Sequence, residues 1–259
     1  MVATAGEMTL GEHLRELRQR LLRAVLALTA GAVVGYIVFP YVLDVLIAPY
    51  CAALDTLGAD VAPGVDDPGD CDLIAFRPLE PFSVRIKTAM VIGLFIGGPV
   101  IFYQLWRFIT PGLTTRERRY ALPFVVLSQI MFAIGIGFAY LVIPQGLRIL
   151  LFLGGDRITP LLSANEYLSF FLTMSVAFGL VFELPLVLIF LAMVGVVKAA
   201  MLRRARPYAV VIMVVAAAFI TPTTDAVTLL FMAGPMLLFY ELSILGAWLI
   251  ERARGRREP

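Results

Sequence analysis

The 259-residue sequence is short of charge: Asp, Glu, Lys and Arg make up 15% of it, against about 25% in soluble domains. It has one histidine, His13, and two cysteines, Cys51 and Cys71. So little charge beside 60% hydrophobic residues and a mean hydropathy of +0.90 excludes an ordinary soluble domain, whose apolar share is roughly 45 to 50%. Two cysteines are too few for a disulfide scaffold or a thiolate metal site. No HExxH or GxSxG occurs, and His13 stands alone, so the chain has no evident catalytic apparatus and no pattern that implies a metal or cofactor. A Gly-rich loop ending in Gly-Lys-Ser/Thr is also missing, which excludes a nucleotide motor within the chain.

What the sequence does have is long apolar runs. Six stretches approach the roughly 20 residues that a helix needs to cross a hydrocarbon core, at 22–43, 82–108, 120–147, 167–194, 207–221 and 227–250. The expected fold is all-α: one polytopic membrane domain over 1–259 with six transmembrane helices, an outer loop at 44–81 and a tail at 251–259. The fifth run is short, with about 14 residues between Pro207 and Thr221. The first run follows Arg15, Arg18, Arg20 and Arg23 as a signal peptide would, but it is long and lacks a clean small-x-small cleavage pattern, so an uncleaved span is expected.

Basic residues set the expected orientation, because Lys and Arg near span ends are retained in the cytoplasm. Four lie in the segment before the first span, four near the second-to-third loop (Arg107, Arg116, Arg118, Arg119), four near the fourth-to-fifth loop (Lys198, Arg203, Arg204, Arg206) and four in the tail (Arg252, Arg254, Arg256, Arg257). The opposite side holds only Arg77, Arg85, Lys87, Arg148 and Arg157, and its first loop is acidic. Both termini are therefore expected in the cytoplasm. Spread over loops in this way, the basic residues read as topology signals and give no nucleic-acid-binding patch. Cys51 and Cys71 fall on the oxidising side, where a disulfide between them and a pair of free thiols both remain open.

Residues Thr9–Arg23 form an amphipathic foot that leads into the first span: Leu10, Leu14, Leu17 and Leu21 recur at helical spacing, and Thr9 with Glu12 makes a capping-box pattern. Proline and glycine are frequent inside the spans, at Gly97, Gly98, Pro99, Pro123, Gly135, Gly137, Pro144, Pro185, Gly234 and Pro235. Each proline removes a backbone donor, which lipid tolerates only where a neighbour satisfies the freed carbonyl, so a kinked, concave bundle is expected.

Carboxylates in unusual places are the candidate functional groups. Glu183 lies deep in the fourth span, where a charge costs roughly 2.5 kcal/mol or more unless it meets a partner or water. Glu241 and Asp225 lie in or beside the last span. Glu117 is flanked by Arg116, Arg118 and Arg119, and Glu16 has Arg20 one turn on, so each has a local counter-charge at hand. Taken together they are two carboxylates on one expected membrane face, able to hold two guanidiniums if they converge.

At these residues the chain resembles TatC, the multi-spanning subunit of the twin-arginine protein translocase. The matching stretches are HLRELRQRLLRAV, IAPY, PLEPFSVRIKTAM, GGPVIFYQLWRFITPGLTTRERRYALPF, FGLVFELPL and FITPTTDA, in order and over nearly the whole sequence. The resemblance implies a non-enzymatic receptor in the bacterial inner membrane for twin-arginine signal peptides of folded proteins. It also implies assembly with small single-span subunits, self-association within the complex, contact with membrane lipid and use of the proton-motive force. Signal-peptide binding would fall to Glu16 and Glu117 with Arg18 and Phe108, and the partner-facing concave surface to Glu183, Pro49, Asp225 and Thr228. The chain departs from the family at Thr228 and Leu229, where a Ser-Gln pair is frequent. A secondary transporter with Glu183 as coupling carboxylate is the alternative; the chain lacks the paired broken helices and repeat symmetry expected of one.

Overall fold

In the computed structural model the described residues are 10–55, 73–109, 121–153, 163–220 and 226–255. They form six helices: α1 (Leu10–Asp55), α2 (Glu80–Ile109), α3 (Ala121–Leu153), α4 (Ala164–Val194), α5 (Ala199–Ile220) and α6 (Ala226–Gly255). All but α5 contain a segment long and apolar enough to cross a membrane. The exception has a local cause, since Arg203, Arg204 and Arg206 occupy the first half of α5 and only the part beyond Pro207 is continuously apolar. Glu117, Cys71 and Asp225 lie outside the described residues, as does the side chain of Thr228.

Two boundaries differ from the sequence expectation. The outer loop was expected to start at 44, but α1 continues to Asp55 with Pro40 and Pro49 inside it. Proline costs a helix one N–H donor while its fixed φ remains helical, and here the apolar spacing of Leu46, Tyr50 and Ala53, all buried, continues past it. Likewise the tail, expected from 251, starts as helix, because α6 runs on to Gly255.

The chain packs as two compact units, Met1–Ile37 with Ala89–Gln129 and Val38–Thr88 with Ile130–Pro259. In the first, α1 and α2 run antiparallel along matched small residues. A Cβ on Gly31 would lie 2.6 Å from the Gly93 carbonyl oxygen, one on Gly35 2.7 Å from that of Ala89, and one on Gly97 2.9 Å from that of Ala27. Ala27, Gly31 and Gly35 thus face Gly97, Gly93 and Ala89, two small-xxx-small stripes that let the backbones touch. Between α2 and α3 the Trp106 indole donates to the Ser128 hydroxyl at 2.8 Å, both buried, and its ring lies 5.0 Å from that of Phe124.

The second unit is organised on α4. Ser163 and Glu166 form a capping box at its start, and Gly195, at φ 84°, ends it in the left-handed region open to glycine. The Tyr167 hydroxyl donates to the Leu46 carbonyl at 2.8 Å, and Tyr50 and Tyr167 have ring centroids 5.1 Å apart. Phe182 packs edge-on against Phe239 at 4.5 Å, and Gly246 gives room to Ile189, so α4 and α6 run parallel in one constant register. Helix α5 starts against the end of α6: the Ala199 N–H donates to Glu251 Oε1 at 2.8 Å.

Candidate functional site

The foot is helical from Leu10 and merges into the first span without a break, as its continuous Leu stripe requires. Leu14, Leu17 and Leu21 keep that stripe exposed. Glu16 is paired with Arg20 one turn on, so the carboxylate already holds a guanidinium from its own chain. Arg18, two residues on from Glu16, is exposed. Arg20 behaves differently from its neighbours, because it is buried while Leu21, Leu22 and Arg23 are exposed.

Phe108 lies half-buried in the last turn of α2. Just before it, Arg107 sits over the Tyr103 ring at 5.8 Å and donates to its hydroxyl at 3.2 Å. The Trp106–Ser128 bond fixes the end of α2 against the first turns of α3. Glu16 lies eleven residues before Ala27, and Phe108 eleven after Gly97. Since Ala27 abuts Gly97, the antiparallel register carries both to the same end of this unit. The foot and the end of α2 therefore converge at one end of this unit.

In the second unit Glu183 is 8% exposed, on the α4 stretch that packs against α6. Pro49 is buried beside Tyr50 in the layer formed with Tyr167. Thr228 falls in the first turn of α6. Several other charges have specific partners: Glu241 pairs with Arg206 at 2.7 Å, the Lys87 ammonium donates to Asn165 Oδ1 and Ser169 Oγ at 2.8 Å each, and Arg148 donates to the Ala52 carbonyl at 3.0 Å in the last turn of α1. Cys51 is disulfide-bonded, and the sequence has one other cysteine, Cys71. Among the described residues no cluster of His, Cys, Asp or Glu is fit to hold a metal.

Several structural polar residues escape notice in the sequence: Gln104, Gln129, Ser128 and the buried face of Arg20. For two of them the signal is spacing, since Arg20 lies seven residues before Ala27 and Gln104 seven after Gly97 in the small-residue stripes.

Residues 12–235 match the family model for TatC, the Sec-independent protein translocase protein. The chain is 41% identical over 252 residues to the Sec-independent protein translocase protein TatC of Frankia casuarinae, covering 97% of this chain and 69% of that one. It is 39% identical over 240 residues to that of Aquifex aeolicus, covering 92% and 93%. Among solved structures, a crystal structure of the twin arginine translocase receptor TatC superposes with a TM-score of 0.78 at 39% identity, over 93% of this chain and all of that one.

Proposed function

The chain belongs to the TatC family of Sec-independent protein translocase proteins, and from that membership we propose how it recognises its substrates. A twin-arginine signal peptide engages the end of the first unit from the cytoplasm, its guanidiniums received by Glu16 and Glu117. Arg18 and Phe108 line the same place. The observation that carries this reading is the Glu16–Arg20 pair, in which the carboxylate already accepts a guanidinium at the convergence of the foot and α2. Arginine's planar fork suits such a carboxylate better than lysine's point charge, which gives a physical basis for requiring arginine in the peptide. The exposed Leu14, Leu17 and Leu21 offer apolar surface to the part of the signal peptide that follows its arginines.

The second unit then serves assembly. Glu183, Pro49, Asp225 and Thr228 meet the single-span subunits, with Glu183 as the ionisable group within the fourth span. The membrane is the bacterial inner membrane, with both termini in the cytoplasm, and the proton-motive force drives export. Family membership favours this reading over a solute transporter.

The test is export of a folded twin-arginine reporter beside a general-pathway reporter in cells carrying Glu16→Ala or Glu117→Ala. Loss of the first with retention of the second is expected. Unimpaired twin-arginine export in both variants would sink the assignment.

A further inference from the structure

Among its described residues the first unit holds three buried polar atoms without a hydrogen-bond partner, Arg20 Nη1, Gln104 Oε1 and Gln129 Oε1, and the first two belong to the end where Glu16 sits. Arg20 is 8% exposed; it gives one guanidinium nitrogen to Glu16, and its Nη1 is buried with no hydrogen-bond partner among the described residues. Gln104 is also 8% exposed, and its Oε1 is buried in the same condition. One is a donor and the other an acceptor, and an orphaned buried group of either kind is costly.

Helix register brings the two residues together. Ala27 abuts Gly97 and Gly31 abuts Gly93. Arg20 precedes Ala27 by seven residues, and Gln104 follows Gly97 by seven. Seven residues are nearly two helical turns, so each side chain stays on the face that its small-residue stripe presents to the other helix. They therefore lie at the same level of the two facing helices, at the end of the interface where Glu16 sits, and a guanidinium and an amide so placed can be joined directly or through one bridging water.

We propose that Gln104 is a positioning residue for twin-arginine recognition: its amide oxygen receives the Arg20 guanidinium when a signal-peptide arginine takes over the Glu16 carboxylate. This rests on the reading of Glu16 given above. Arg20 is then an internal competitor that occupies Glu16 in the free protein. Moving a buried guanidinium off its carboxylate with no new acceptor would oppose peptide binding, and Gln104 supplies that acceptor at the same level of the facing helix. Gln104 thus sets affinity through Arg20, without touching the peptide.

The prediction is a pattern of signs. Binding of a labelled twin-arginine signal peptide and its twin-lysine counterpart is measured by fluorescence anisotropy on the full chain in lipid nanodiscs. Gln104→Leu should weaken twin-arginine binding about tenfold, the scale of one hydrogen bond to a charged group. Gln104→Glu draws Arg20 away from Glu16 and should tighten it by a similar factor. Arg20→Met should tighten binding and make it indifferent to residue 104. If Gln104→Leu does not fold, Gln104→Asn, too short to reach across, takes its place. Shifts of the same sign in the Leu and Glu variants, or an undiminished Leu effect in the Arg20→Met background, overturn the proposal alone. Undiminished preference for twin arginine in Glu16→Ala overturns the reading beneath it as well.

Discussion

The Gln129 side-chain amide donates to the Phe95 carbonyl at 3.2 Å, and Phe95 is the residue four positions before Pro99. In an unbroken helix that carbonyl would accept from the N–H of residue 99, which proline lacks. Helix α3 thus repairs a defect in α2, and Gly98 makes the room, since a Cβ there would run into Gln129 Oε1. Within a membrane, where no water is at hand, such a repair is the condition on which a mid-span proline is tolerated.

Gln129→Leu should therefore lower thermal stability in detergent by about 1 to 2 kcal/mol, the cost of an orphaned carbonyl. In a Pro99→Ala background the restored N–H takes over, and the same Leu substitution should be close to neutral. Equal losses in both backgrounds would show that Gln129 acts through packing instead.

Two glycine substitutions should have opposite effects. An alanine Cβ at Gly93 would lie 2.5 Å from the Ala32 backbone nitrogen and 2.8 Å from the Leu28 carbonyl oxygen, so α1 and α2 would have to separate. A loss of about 1 to 3 kcal/mol is expected, the range for overpacking. At Gly137 a Cβ meets nothing within 4 Å, and alanine there should be neutral or stabilising by about 0.5 kcal/mol through reduced chain entropy. Thermal unfolding of both variants in one detergent decides it, and a Gly93→Ala protein as stable as its parent would remove the close approach from the account.

Apolar length made the helices legible, and the family blocks made the candidate residues legible, because both are local features of the chain. Glu16 and Arg20 were readable as a pair from their spacing, and the structure forms that pair. What stayed hidden depends on two segments at once. Ala27, Gly31 and Gly35 read singly as ordinary membrane-helix glycine and alanine, and acquire meaning only against Ala89, Gly93 and Gly97. Gln129 likewise looks like a stray amide until Pro99 is placed beside it. The extension of α1 to Asp55 was masked by Pro49, a helix breaker by propensity that burial beside Tyr50 overrides. The short apolar part of α5 was visible, but the helical turns before it, held by Glu251 from α6, were not.

The disulfide at Cys51 predicts a chemical result. Protein denatured without reductant should take up no iodoacetamide, and after reduction it should take up two equivalents, read by intact mass. Cys51→Ser should leave one reactive thiol, at Cys71. Labelling of unreduced parent protein would contradict the bond.

The last prediction concerns the start of α5. Its first N–H groups have no partners within the helix, and Glu251 accepts from that of Ala199 while placing a negative charge at the positive end of the helix dipole. The work of an N-cap is done by a residue 52 positions away. Glu251→Ala should cost about 0.5 to 2 kcal/mol, locally, by fraying this end. Glu251→Gln keeps an acceptor and loses the charge, so it should cost less. Lys198 is exposed and immediately precedes the helix, which makes limited trypsin digestion a direct reporter. Cleavage after Lys198 should be fastest in the alanine variant, intermediate in the glutamine variant and slowest in the parent. Identical rates in all three would mean that the start of α5 is held by the Tyr240 hydroxyl on the Leu202 carbonyl, at 2.8 Å, rather than by its cap.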